Sequence, residues 1–266
     1  MKFYLGTHET SWLAKLTDVP LFVSHRRLTK RLGSRASLPT ATTDWALDSG
    51  GFTELGKFGE WRTTPGQYIA AARRYRDEIG RLQWASPQDW MCEPHMTAKT
   101  GLTVREHQRR TVANYLHLIE RAPDLPFVPV LQGWVLDDYH RCADLYAAAG
   151  VDLTTQPTVG VGSVCRRQGE LPIAVIMESL QSRGLQLHGF GVKAEGLRLS
   201  AQYLASADSM AWSYRARMAA SKGGGFPGCT HKTCANCIRY ALRWRERLLW
   251  SLRFEQSALP LFGGAS

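Results

Sequence analysis

The chain has 266 residues, 44% of them hydrophobic, and 33 lysines and arginines against 23 acidic residues give it a net charge of +10. This length suits one large domain, and a barrel of alternating strands and helices takes about 250 residues. No apolar run reaches the roughly 18 residues of a membrane span and the N-terminus lacks a signal-peptide core, so the expectation is a cytoplasmic protein with reduced cysteines and a polyanionic partner.

Eight short apolar runs read as strands, at 3–6, 20–24, 45–48, 87–91, 127–132, 158–162, 187–190 and 207–210. Helical patterns fall at 65–82, 103–121, 137–149, 171–182 and 195–205, with Pro65 suited to a first helical turn. A basic segment holding Arg26, Arg27, Lys30, Arg31 and Arg35 connects the second and third strands. Alternation of this kind predicts an α/β fold, and eight units predict a (β/α)8 TIM-like barrel over residues 1–222. Residues 223–266 read as an appendage: a glycine-rich turn, a cysteine cluster and a terminal basic helix.

In such barrels the chemistry sits at the carboxyl ends of the strands. There the sequence places Asp48, Asp89, Gln132, Gly162, His188 and Asp208. The first of these opens a turn, Asp48-Ser49-Gly50-Gly51-Phe52, in which a ligand can approach the backbone closely. Two carboxylates facing one pocket suit displacement at a sugar anomeric carbon: one attacks C1′ and the other moves protons on the leaving or entering group. Asp, Gln and a glycine amide offer the donors and acceptors that a guanine-like edge requires, and Phe52 and His188 are placed to sandwich a flat ring. The same residues suit glycoside hydrolysis.

Cys229, His231, Cys234 and Cys237, packed into nine residues, form the ligand set of a closed structural zinc site, Zn2+ being the one cofactor expected. Downstream, Arg239, Arg243, Arg245, Arg247 and Arg253 alternate with Tyr240, Trp244 and Trp250. That pattern suits either phosphate and base binding or a helix docked by its aromatics with its arginines in water. Arg166, Arg167, Arg215, Arg217 and Lys222 are better placed to bind a nucleic-acid backbone entering the pocket.

Together these segments resemble the tRNA-guanine transglycosylase superfamily. Leu47-Asp48-Ser49-Gly50-Gly51-Phe52 is similar to its signature, in which the aspartate is the general base and the serine contacts the base. Gln88 to Pro94 resembles the segment whose aspartate reads the purine edge, with a spacing to the proline one residue longer. Val130-Leu131-Gln132-Gly133 resembles the segment that supplies a glutamine to the purine, Gly160 to Ser163 the backbone contact, and Leu187 to Gly191 the loop beside the ring. Ala207-Asp208-Ser209 resembles the nucleophile motif, which implies that Asp208 attacks C1′. The metal cluster is similar to that family's zinc motif, with His231 in the place of the middle cysteine and Cys237 substituting for a downstream histidine.

The compact length is most similar to the deazapurine DNA modification branch, DpdA, often carried by phages and mobile elements. That resemblance implies a pentosyltransferase in a bacterial or phage-infected cell. It would exchange guanine in DNA for a 7-deazaguanine such as preQ0, on a nucleotide flipped from the stack. Relatives often form homodimers, and the sequence leaves that assembly open. The alternatives are the same exchange on tRNA, a zinc-stabilised nucleic-acid-binding protein without catalysis, and a glycosidase or nucleoside hydrolase.

Overall fold

The computed structural model describes residues 1–32, 37–165, 171–221 and 226–258. Arg35, Arg166, Arg167 and Lys222 lie outside the described residues.

Eight parallel strands form one sheet: β1 (Lys2–Thr7), β2 (Leu21–Ser24), β3 (Trp45–Asp48), β4 (Leu82–Ala85), β5 (Val130–Leu131), β6 (Val159–Val161), β7 (Leu187–Gly189) and β8 (Ser206–Ser209). Their order is β4-β3-β2-β1-β8-β7-β6-β5, so the first and last strands are neighbours and the sheet curls on itself. The ring is not completed by a ladder. Between β4 and β5 a single parallel bridge joins Ala85 to Phe127, with Ala85 N–H donating to the Pro126 carbonyl at 2.9 Å. The closed barrel expected from eight units is therefore a curled sheet with a seam.

The helices are α1 (His25–Leu32), α2 (Gly51–Phe58), α3 (Pro65–Ile79), α4 (Pro94–Thr100), α5 (Val104–Arg121), α6 (Leu136–Ala148), α7 (Leu171–Gln181), α8 (Ala194–Ser200), α9 (Ala211–Ser221) and α10 (Ile238–Ala258). Thr64 and Gln67 close a capping box at the start of α3, with Pro65 in its first turn. Among the described residues no helix is long and apolar enough to cross a membrane.

Side chains alternate across the sheet with the two-residue period of a strand. Phe3, Leu5, Leu21, Val23, Trp45, Leu47, Leu187 and Ala207 face the helices and build the large core. Tyr4, Phe22, Ala46 and Trp84 face inward and fill the interior of the curl. The carboxylates follow the same rule: Asp48 continues the inward row after Ala46 and emerges at the mouth.

One strand departs from expectation. The fourth is Leu82–Ala85, and 87–91 is the loop after it. Pro87 has no N–H to give a ladder, so the strand stops before it. Asp89 consequently sits on a loop rather than at a strand tip.

Helix α10 joins the main core through Ala241, Trp244, Leu248 and Leu252, one face at intervals of three and four. Trp250 points the other way and is 61% exposed.

Candidate active site at the sheet mouth

A cavity of about 240 Å³ opens at the carboxyl ends of the strands, lined in part by Asp48, Asp89, Glu93, Gln132, Gly162, Phe190 and Asp208, with Phe52 at its rim. That is below the roughly 300 Å³ at which drug-sized pockets begin, and it suits one flat heterocycle more than a whole nucleotide.

The turn after β3 builds one wall. Gly50 has φ +86, and a Cβ there would lie 2.6 Å from the Arg26 side chain, so both backbone conformation and packing demand glycine. Ser49 is buried, donating its N–H to Ser86 Oγ at 2.9 Å and its hydroxyl to Asp89 Oδ1 at 3.4 Å. It supports Asp89 from beneath and does not line the cavity. Phe52, 41% exposed, stands over the entrance edge-on to His95.

Asp89 links this turn to a buried polar chain. Gln132, fully buried, donates its amide to Asp89 Oδ2, and its Oε1 accepts from Ser163 Oγ at 2.7 Å. Ser163 Oγ also lies 2.8 Å from Glu93 Oε2 and accepts the Cys92 N–H at 2.7 Å. Ser163 holds φ +57, an uncommon conformation for a residue with a side chain, which marks this loop as constrained at the pocket. Gly162 carries no Cβ because one would lie 2.2 Å from the Gln132 amide nitrogen.

Electrostatics distinguish the acids. Burial pushes the Asp48 carboxyl above the usual range and the Asp208 charge adds to it, while hydrogen bonds from Ser24 and the Gly50 backbone oppose it. Asp89 is pushed up to about 7, first by burial and then by the Asp48 charge. Asp208 accepts the Gly191 N–H on Oδ1 at 2.8 Å. One carboxyl poised to carry a proton beside another held by a backbone donor is an arrangement competent for acid–base and nucleophilic chemistry.

Three sequence expectations are corrected here. His188 is fully buried, with Nδ1 2.9 Å from Ser206 Oγ and its ring packed at 4.6 Å against Trp84. It pairs in register with Ser206, two residues below Asp208, and so lies one layer beneath the pocket instead of flanking a ring. Its Nε2 comes within 3.4 Å of Asp208 Oδ1 without hydrogen-bond alignment. Phe190, two residues on, lines the cavity in its place. Gly162 does not offer its amide, which donates to the Leu131 carbonyl at 2.9 Å, and its own carbonyl accepts from Tyr139 at 2.8 Å. Gly133 contacts α6, where a Cβ would lie 2.8 Å from Asp138 Cβ.

Two residues of the site escaped the sequence reading. Glu93 is a buried carboxylate of the cavity, and its signal was its place inside the Gln88–Pro94 segment. His8 also lines the cavity, and its imidazole is pushed down to about 4 by burial and by the charges of Arg27, Arg217 and Lys30. The last three therefore place positive charge at one side of the mouth.

The Cys229, His231, Cys234 and Cys237 donor atoms all lie within 4.8 Å of one another, with Cys229 Sγ 3.7 Å from Cys237 Sγ. Tetrahedral zinc with Zn–S bonds of about 2.3 Å sets its sulfurs about 3.8 Å apart, so the donor set and its spacing fit that ion. Cys234 and Cys237 are buried against Ala216 of α9, and the Phe226 N–H reaches Cys234 Sγ at 3.4 Å. The cluster ties α9 to the start of α10, and none of its four donors lines the carboxylate cavity.

A model of the DpdA family (DeoxyPurine in DNA protein A) matches residues 1–259. A comparison with curated proteins found no match.

Proposed function

The chain belongs to the DpdA family, and from that premise we propose that its mouth pocket exchanges guanine in DNA for a 7-deazaguanine base, a preQ0-like heterocycle, through a covalent sugar ester. Membership in the family makes it a protein of DNA modification and a transferase acting on DNA. The observation that carries the finer reading is the meeting of Asp48, Asp89 and Asp208 around one base-sized cavity.

In this reading an Asp208 oxygen attacks C1′ of a flipped deoxyguanosine. The ester C1′–O bond forms as C1′–N9 breaks, and the departing guanine takes a proton from Asp48. The incoming 7-deazaguanine returns a proton to Asp48, its N9 attacks C1′, and the ester opens to regenerate the Asp208 carboxylate. No water enters the balance. Asp89 and Gln132 read the purine edge, and their internal hydrogen bond opens so that the carboxylate faces the N1–H and 2-amino donors while the amide faces O6. Phe52 and Phe190 bracket the ring, with Gly162 giving it room. His188 acts from below on Asp208, as a positioning residue.

Cys229, His231, Cys234 and Cys237 would hold zinc as a structural crosslink, which supplies no step of the exchange.

Incubation with labelled guanine and either duplex DNA or tRNA tests this. Label entering DNA is expected, label entering tRNA alone selects the tRNA exchange, and free base released without incorporation selects hydrolysis.

A further inference from the structure

A second cavity, of about 650 Å³ and larger than the base pocket, lies between α8, α9 and α10. Its walls carry Arg198, Arg215, Arg239, Arg243 and Arg247 against one acid, Glu195. Arg239, Arg243 and Arg247 recur every four residues, forming one stripe along α10, while Trp244 and Leu248 of the same helix turn into the core. Arg243 and Arg247 are exposed and, among the described residues, are paired with no carboxylate. A helix that docks by one face and aligns unneutralised arginines along the adjacent groove tolerates self-repulsion that an anionic occupant would relieve.

The groove is continuous with the base pocket. A third cavity of about 620 Å³ shares Phe52 and Cys165 with the base pocket and Ala194, Glu195 and Arg215 with the groove. Tyr214, 61% exposed, stands on this connecting stretch beside Arg215, two turns or less past Asp208. Arg27, Lys30 and Arg217 also gather round His8, which lines the base pocket.

We propose that this groove is the track for the DNA strand that carries the target nucleotide: its phosphates lie along Arg215, Arg243 and Arg247, and the base next to the flipped one stacks on Tyr214. The proposal rests on the reading of the pocket as a DNA-modifying site, and it adds the path of the strand. A phosphate backbone fits better than a small anion, since the charges are spread along a helix rather than converged on a point. An exposed aromatic between pocket and groove suits an unstacked base.

The test is the binding of a fluorescent duplex by the zinc-loaded full chain across a salt series, read by anisotropy. R243S/R247S is compared with wild type and with R73S/R76S, an equal charge change at residues paired with Asp124 near the other end of the strands. The groove predicts at least tenfold weaker binding at low salt for R243S/R247S. It also predicts a salt slope shallower by about 1.8, near 0.9 per lost phosphate contact. R73S/R76S should stay within twofold of wild type, and Y214A should weaken binding to a duplex with a flipped or abasic target position more than to an intact one. R243K/R247K should recover most of the affinity. Equal affinity and slope for R243S/R247S and wild type would overturn the track. Binding does not require exchange, so a wild type that binds through the groove yet incorporates no base would refute the exchange reading and leave the track standing.

Discussion

The carboxylate pocket and the cysteine–histidine cluster hold buried ionisable groups under opposite terms. In the pocket, burial raises Asp48 and Asp89, the Asp208 charge adds to the first and the Asp48 charge to the second, and hydrogen bonds from Ser24, Gly50 and Gln132 oppose the rise. In the cluster, the donors lie at the spacing of a tetrahedral metal site, so a bound cation would neutralise the thiolates and convert their proximity into cohesion. One region stores unfavourable electrostatics where chemistry needs it, and the other relieves them where the helices need an anchor. Loss of the pocket's charges should harm turnover and help stability, while loss of the cluster should harm stability first.

The largest expected effect is on turnover. Asp208→Ala should lower base exchange by a factor of about 1,000 or more, as removal of a covalent nucleophile does, while leaving the thermal midpoint unchanged or raised. If exchange persists within tenfold, Asp208 is not the attacking group. Next in size is the cluster. Chelation of the metal, or Cys234→Ala, should lower the midpoint by on the order of 10 °C, since about 1 kcal/mol moves a chain of this size by roughly 2–4 °C. Differential scanning fluorimetry reads this beside a zinc assay, and an unchanged midpoint on metal loss would remove the cluster's structural role.

A third prediction follows from pH. Between about pH 4, where the unfolded Asp89 ionises, and about 7, where the folded one does, the native state binds the extra proton. Stability therefore falls as pH rises through that window and levels off above it. Asp89→Asn should abolish that fall and be the more stable protein at pH 8, by a few kcal/mol at most. It should also lose the rise in guanine affinity from pH 6 to pH 8 that ionisation of Asp89 confers on wild type. Urea titrations at several pH values check the first claim and competition by free guanine the second. The smallest effect is expected from Gly162→Ala. Its Cβ displaces the Gln132 amide from Asp89, costing about 1–3 kcal/mol and raising KM for the base more than it lowers kcat.

The two regions also differ in how far the sequence discloses them. The cluster is contiguous, so its four donors could be named from spacing alone. The pocket is assembled from strand ends up to 160 positions apart, Asp48 to Asp208. Strand-end position correctly brought Asp48, Gln132 and Asp208 to one mouth, because alternation along a parallel strand repeats across its neighbours. It failed where depth mattered. His188 shares the inward face with Asp208 but lies one layer lower, and a period of two does not distinguish layers. Gly162 looked like a free amide because a sequence does not show which backbone groups the ladder has already taken. Leu82 and Trp84 alternate too briefly to stand out beside Pro87–Met91, so the sequence points to 87–91 where the fourth strand is Leu82–Ala85. The seam between β4 and β5 left no mark at all, being a matter of pairing geometry rather than composition. For α10, the structure shows the docking half of the two readings: Ala241, Trp244, Leu248 and Leu252 pack on the core, and the arginine stripe lines the groove, where DNA binding is the proposal above.

The most direct measurement of the account's central claim is intact-mass spectrometry of the protein with a DNA duplex, denatured before the second base is added. The account predicts a protein–DNA adduct in wild type, mapped by peptide digestion to Asp208. That adduct should vanish when a 7-deazaguanine is supplied and should never form in Asp208→Ala. Base exchange in wild type without any adduct, or an adduct mapped to Asp48, would contradict it.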